Sequence, residues 1–195
     1  MLSSTNRLNK LREQMQASGI DAYLISQTDE FQNEFLPNYS QRLQWLSNFS
    51  GSAGEVLVTK NKAYLFVDGR YTLQAKIEVD QKLYKIYNYS EKTLIEILKS
   101  LKYKKTNLGI DGNITTIKKL TFINSGLNTK IVVKLLEKNL IDLIWHDRPE
   151  IKKSIVWHHH QNFHGSNTFK KIQNIKKLIK KNGVQYLLVT SNESI

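Results

Sequence analysis

The chain has 195 residues, more than one typical domain of about 150, and its 40% apolar and 24% charged composition carries enough hydrophobic material for a core and no signature of disorder. Cysteine is absent, which excludes disulfides, thiolate metal sites and cysteine nucleophiles. The net charge of +12 comes from 24 lysines and only five arginines, a ratio that argues against dedicated phosphate recognition, where arginine's planar fork is the usual choice.

Leu8, Leu11 and Met15 recur at helical spacing behind Ser3–Ser4–Thr5 and ahead of Gly19, so the first element is expected as an amphipathic helix over residues 5–18. A strand follows at Ala22–Ser26, then a polar surface loop over 27–40 and a short helix at Arg42–Leu46 that turns Trp45 and Leu46 inward. Gly51–Ser52–Ala53–Gly54 is turn chemistry; it lacks the Gly-x-Ser-x-Gly of a nucleophile elbow and the Gly-Lys-Ser/Thr ending of a phosphate loop. Residues 55–59 and 63–67, separated by Lys60–Asn61–Lys62, have hairpin spacing. Helix periodicity at 71–79, a strand at 83–87, a helix at 91–101, a strand at 108–111, a helix at 116–124 and a strand at 131–133 complete the alternation. Strands separated by helices predict an α/β domain whose mixed β-sheet carries helices on both faces. The domain closes near Trp145, giving boundaries of 1–148 for the domain, 149–165 for a linker and 166–195 for the start of a second, similar domain.

That last assignment rests on an internal repeat. An offset of 164 places Leu8, Leu11 and Met15 on Ile172, Ile175 and Ile179, Gly19–Ile20 on Gly183–Val184, and Leu24–Ile25–Ser26 on Leu188–Val189–Thr190. A helix, a glycine stop and a buried strand therefore begin a second time, and the sequence reads as an amino-terminal piece of a longer protein. Residues 151–195 hold eight lysines and one glutamate, so much of the positive charge falls there. His158, His159, His160 and His164 share the linker with no helical i, i+4 pair and no cysteine, which reads as solvated loop, and no metal site is assigned. Asp68–Gly69–Arg70–Tyr71 places a scarce arginine just past a buried strand. Its guanidinium could grip a carboxylate or carbonyl of a ligand, or could pin the turn through a salt bridge to an aspartate.

Gly19–Ile25, Asp29–Gln32 with Glu34, Arg42, and Trp45 through Gly54 resemble the amino-terminal domain of Xaa-Pro aminopeptidases (aminopeptidase P). Asp68–Tyr71 with Gln74–Ala75 is similar to that family's next block, and Asn139–Asp142 through Trp145-x-Asp147–Arg148–Pro149 to its closing block, in the three-domain branch. Ser26, Phe31 and Asn33 depart from the family pattern of proline, histidine and serine. The resemblance implies a ribonuclease-H-like creatinase amino-terminal fold and a noncatalytic role, shaping the substrate cleft and subunit association of a hydrolase that removes an amino-terminal residue ahead of proline. It implies two manganese or other divalent ions in a catalytic domain absent from this chain, no activity of the chain alone, a peptide substrate with proline second and a homodimer. Arg70 is the substrate-binding residue it implies; no catalytic residue is assigned. The first seven residues lack the apolar core of a signal peptide and no run of 18 apolar residues occurs, so a cytoplasmic location with no membrane partner is expected. Nucleic acid is not an expected partner, although a basic module for nucleic acid or acidic surfaces, and an interaction module pairing with a separate catalytic chain, are the alternative functions.

Overall fold

A computed structural model describes residues 2–101, 105–152, 154, 155, 157 and 160–191. It divides into two compact units, Met1–Glu150 and Ile151–Ile195.

In the first unit Ser3 caps helix α1 (Ser4–Ala17) by accepting the Asn6 N–H, and Gly19 ends the turn beyond it with φ at +64°, a left-handed conformation costly for any residue with a Cβ. Strand β1 (Ala22–Ser26) and helix α2 (Arg42–Ser47) follow, then the hairpin β2 (Gly54–Thr59) and β3 (Ala63–Val67). Helix α3 (Thr72–Glu78), β4 (Tyr84–Asn88), α4 (Leu94–Ser100), β5 (Thr106–Asp111), α5 (Ile117–Gly126) and β6 (Ile131–Leu136) complete the order. Several expectations shift at their boundaries: the strand expected at 108–111 starts at Thr106, that expected at 131–133 runs on to Leu136, and two helix starts move. The helix expected from residue 91 starts at Leu94, because Thr93 and Glu96 form a reciprocal capping box that fixes the first turn there. The helix expected from residue 71 is preceded by a single 3-10 turn, Gly69–Tyr71, capped by Asp68.

The six strands order as β4-β3-β2-β1-β5-β6, with β2 antiparallel to both neighbours and every other pairing parallel. The carboxyl ends of β1, β3, β4, β5 and β6 therefore share one edge with the amino end of β2. Side chains alternate between two cores as a pleat requires. Tyr23, Ile25, Val56, Val58, Leu65 and Val67 pack with α1, α2, α3 and the segment Leu140–Trp145; Leu24, Leu57, Phe66, Leu108 and Ile110 pack with α4 and α5. Both faces of the mixed sheet are thus covered, as the alternation of elements predicts. Gly109 marks a tight spot: a Cβ there would lie 3.0 Å from Ile20 and 3.1 Å from the Tyr23 ring.

In the second unit Asn167 caps helix α6 (Thr168–Lys181), and Gly183, with φ at +66°, repeats the conformation of Gly19. The strand expected at 188–190 is absent. Residues 185–190 make no ladder among the described residues, and Leu188 is 85% exposed. A strand is defined by its partner, and an apolar sequence alone does not supply one.

Candidate functional site

The common carboxyl edge is where α/β sheets ordinarily offer ligand sites, and the Asp68–Tyr71 turn stands on it. Asp68 Oδ1 accepts the Arg70 N–H at 2.9 Å, which caps the 3-10 turn, and the same carboxylate takes the Arg70 Nε and, at 2.7 Å, Nη2. This contact holds the Asp68 carboxyl below the usual carboxylate range and strengthens the guanidinium's hold on its proton. The Arg70 guanidinium also lies 5.3 Å over the Tyr71 ring. Its side chain stays 71% exposed, and Nη1 makes no hydrogen bond among the described residues. The salt bridge that pins the turn and a donor still available to a ligand therefore coexist on one side chain.

Tyr71 is seated by Gly51. A Cβ at that position would collide with the Phe49 ring and come within 2.9 Å of Tyr71 Cδ1, so only glycine lets the two rings meet edge-to-face at 5.7 Å. The Tyr71 hydroxyl then reaches Ser52 Oγ at 2.9 Å, and Ser52 donates to Glu34 at 3.2 Å. Gly51, Ser52, Tyr71 and Glu34, with Gln27, Phe35 and Gln41, border an open cleft of about 320 Å³; Arg70 is not in its lining and adjoins it through Tyr71, over whose ring the guanidinium lies. Phe35, at 77% exposure, is an apolar wall on its rim.

The turn itself is braced from α3. Glu78 accepts the Ser50 N–H and hydroxyl at 2.8 and 2.7 Å, and Gln74 donates to both Ser50 Oγ and Glu78. Burial pushes the Glu78 carboxyl up, but the bonds from Ser50 and Gln74 outweigh it and leave the group below its ordinary range. In the sequence the only signal for Glu78 is its spacing of four from Gln74 on one helix; its reach to Ser50 spans 28 residues and leaves no local trace. On the other flank of the edge, Asp29 is fully buried and gathers its own loop, accepting the N–H groups of Phe31 and Asn33 at 3.0 Å.

Arg42 has a different environment. Its side chain is 9% exposed and grips Asp142 with Nε at 2.7 Å and Nη2 at 2.9 Å, while Arg148 Nη1 holds the same carboxylate at 2.8 Å. This triad ties helix α2 to the closing segment, where Trp45 stacks on Trp145 at 5.4 Å.

Of the histidines in the linker, His158 and His159 lie outside the described residues; His160 Nδ1 accepts the Asn162 N–H, and its ring meets Phe163 edge-on. Among the described residues no group of three or more His, Cys, Asp or Glu could hold a metal ion, and no helix is long and apolar enough to cross a membrane.

Residues 7–142 match the family model of the Creatinase/Prolidase N-terminal domain, and the chain belongs to that family. All of the chain aligns, at 31% identity, with 31% of a probable Xaa-Pro aminopeptidase P of Laccaria bicolor. A further 28% identity, over 93% of the chain, relates it to 27% of Xaa-Pro aminopeptidase 2 of Homo sapiens. The chain thus spans less than a third of these relatives. Among solved structures, X-prolyl aminopeptidase of Caenorhabditis elegans, described as a cytosolic enzyme with a di-nuclear active site, superposes with a TM-score of 0.77 at 26% identity, over 94% of this chain and 32% of that one.

Proposed function

We propose that this chain is the amino-terminal, noncatalytic portion of a Xaa-Pro aminopeptidase, in which it shapes the substrate cleft, contacts the peptide through Arg70 and takes part in subunit association as a homodimer. The observation that supports this reading is the half-used fork of Arg70. Asp68 fixes the direction of the guanidinium through Nε and Nη2, and Nη1 is left to donate to a carbonyl or carboxylate of a peptide lying in the adjacent cleft. Residues 166–195 are, in the same reading, the opening of a second creatinase-like domain, supported by the matched glycines Gly19 and Gly183 and the repeat around them.

Two divalent ions, manganese by resemblance, would supply the attacking water in the assembled enzyme. The described side chains of this chain do not fit such a centre, since they form no cluster of ligands. Cleavage of the bond is therefore not assigned to them. Their part is to hold and orient substrate.

The test is Arg70→Ala in a full-length protein that contains the catalytic domain, assayed on a Xaa-Pro peptide. Loss of one charge-assisted contact is expected to lower kcat/KM about ten- to hundredfold, with melting nearly unchanged because the side chain is exposed. Unchanged kinetics with a lowered melting temperature would assign Arg70 to turn pinning alone and end the substrate reading.

A further inference from the structure

The two edges of the sheet are finished differently. At β4 the ladder to β3 uses the odd-numbered residues, as the Tyr89 N–H to Val67 carbonyl bond of 3.0 Å shows, so Tyr84, Ile86 and Asn88 turn their backbone groups outward. Those groups are partly consumed. The Tyr84 N–H goes to the Asp80 carbonyl, the Asn88 N–H to Glu91 Oε2, and the Asn88 carbonyl takes the N–H groups of Glu91 and Lys92. The Tyr84 carbonyl and both backbone groups of Ile86 are left without a partner among the described residues.

At β6 the ladder to β5 uses the even-numbered residues, since the Lys130 carbonyl accepts from Thr106 at 2.8 Å and the Leu136 carbonyl from Gly112 at 3.0 Å. Ile131, Val133 and Leu135 therefore face outward. The Ile131 N–H is bonded to the Asn128 carbonyl, but the Ile131 carbonyl and both backbone groups of Val133 and Leu135 have no partner among the described residues. Five open groups in a row form a template for one more strand. The strand carries no proline and no acidic residue between Ile131 and Leu136.

The side chains say which strand would fit. On one face Ile131, Val133 and Leu135 are apolar, with Leu135 53% exposed. On the other, Lys134 stands at the strand centre between Val132 and Leu136, and Lys130 lies in the turn just before the strand, its carbonyl already on the β5 ladder. Lys134 donates to the Gly19 carbonyl, at 3.4 Å, and its charge acts on the Asp21 carboxylate, but it has no carboxylate within ion-pair distance among the described residues, Asp21 being paired to Lys60 at 2.8 Å. A second copy laid antiparallel on this edge would bring the lysines of both copies onto one face of the joined sheet, where like charges across strands repel. An acidic strand would meet them as counter-charges.

We propose that the outer edge of β6 is a docking site for an extended acidic segment of a partner protein, which adds as a seventh strand with acidic side chains toward Lys134 and apolar ones along Ile131, Val133 and Leu135. This site lies on the opposite flank of the sheet from Arg70 and does not depend on the peptidase reading.

The probe is a fluorescently labelled heptapeptide, Glu-Val-Glu-Val-Glu-Val-Glu, with blocked termini, titrated against the 195-residue chain. Saturable binding is expected, weakened at least tenfold by Lys134→Glu and by raising the salt from 0.05 to about 0.5 M, where screening sets in within a few ångströms. Two versions of the peptide, N-methylated on alternate residues of one backbone edge or the other, keep the protein unaltered and so avoid any question of its folding. One version should lose binding and the other keep it, because only one edge of an added strand is hydrogen-bonded. Absence of saturable binding at millimolar peptide, equal binding of both N-methylated forms, or equal binding of the lysine analogue Lys-Val-Lys-Val-Lys-Val-Lys would each overturn the proposal. So would efficient self-crosslinking of a Val133→Cys variant, whose thiol is the chain's only one, since a second copy would then occupy the edge.

Discussion

The same short pattern occurs twice in this chain and has two different fates. In α1 and β1, Leu8, Leu11 and Met15 are at most 1% exposed, and Gly19 turns the chain into a strand that pairs on both sides. In α6 and the residues after it, Ile172 and Ile175 remain 46% and 40% exposed, Gly183 adopts the conformation of Gly19, and no ladder follows among the described residues. What the pattern dictates locally, a capped helix and a left-handed glycine, forms in both places. What it dictates only in company, a buried face and a strand, forms where the rest of a sheet is at hand.

The comparison can be broken most severely by proteolysis. Opening the first unit requires unfolding a buried sheet, worth at least several kcal/mol, while none of the described residues of the second unit is buried, so cleavage there should be faster by roughly a thousandfold or more. A stable product ending near Arg148 is expected by mass spectrometry. Cuts distributed evenly along the chain would erase the distinction.

Core truncation is the next largest lever. Leu11→Ala empties a fully buried position and should cost about 2–5 kcal/mol in urea unfolding, whereas Ile175→Ala, at an exposed position of α6, should stay within about 0.5 kcal/mol. Comparable losses at both positions would mean that α6 is packed as α1 is. The glycines sharpen the same contrast. Gly19→Ala and Gly183→Ala each force a Cβ into the left-handed region at about 1–2 kcal/mol, but only the first should lower the cooperative transition; the second should shorten a helix, seen as a small loss of circular dichroism.

The smallest effect is on acid stability. Residues 151–191 contain no Asp or Glu, and the carboxyls held low by hydrogen bonds or charge, Asp21 and Glu78 among them, belong to the first unit. A carboxyl whose folded pKa is depressed contributes stability above its unfolded value of about 4, and that contribution is lost as pH falls through the folded pKa. The first unit should therefore weaken below about pH 4.5 while the helicity of α6 persists. Glu78→Gln should cost about 1 kcal/mol at pH 7, a figure kept low by its partial exposure, and should flatten the acid limb in a urea series across pH 3–6.

Much of the first unit was legible because its signals are local. The strand-helix alternation, the glycine stop after α1 and the hairpin at Lys60–Lys62 are written within windows of about ten residues. The apolar run predicts a strand only over 131–133, and β6 runs on to Leu136, because the lysine at 134 interrupts an apolar run without interrupting a ladder. The 188–190 segment failed in the opposite sense, its apolar run being sufficient for a strand in sequence but unpaired in space. Around the candidate site, Arg70 and its turn were readable, and the braces behind it were not. Glu78 reaches Ser50 across 28 residues, and Arg42 meets Asp142 across 100, distances at which no local period carries information.

Hydrogen exchange on the intact chain, read peptide by peptide, tests the contrast most directly. The account predicts that the amides of residues 8–25 exchange only through global opening, slowed by several orders of magnitude, while those of residues 184–190 exchange at nearly the rate of an unstructured chain and α6 shows only the modest protection of an isolated capped helix. Protection of residues 172–190 equal to that of residues 8–25 would contradict it, and would show that the second copy of the pattern is as fully packed as the first.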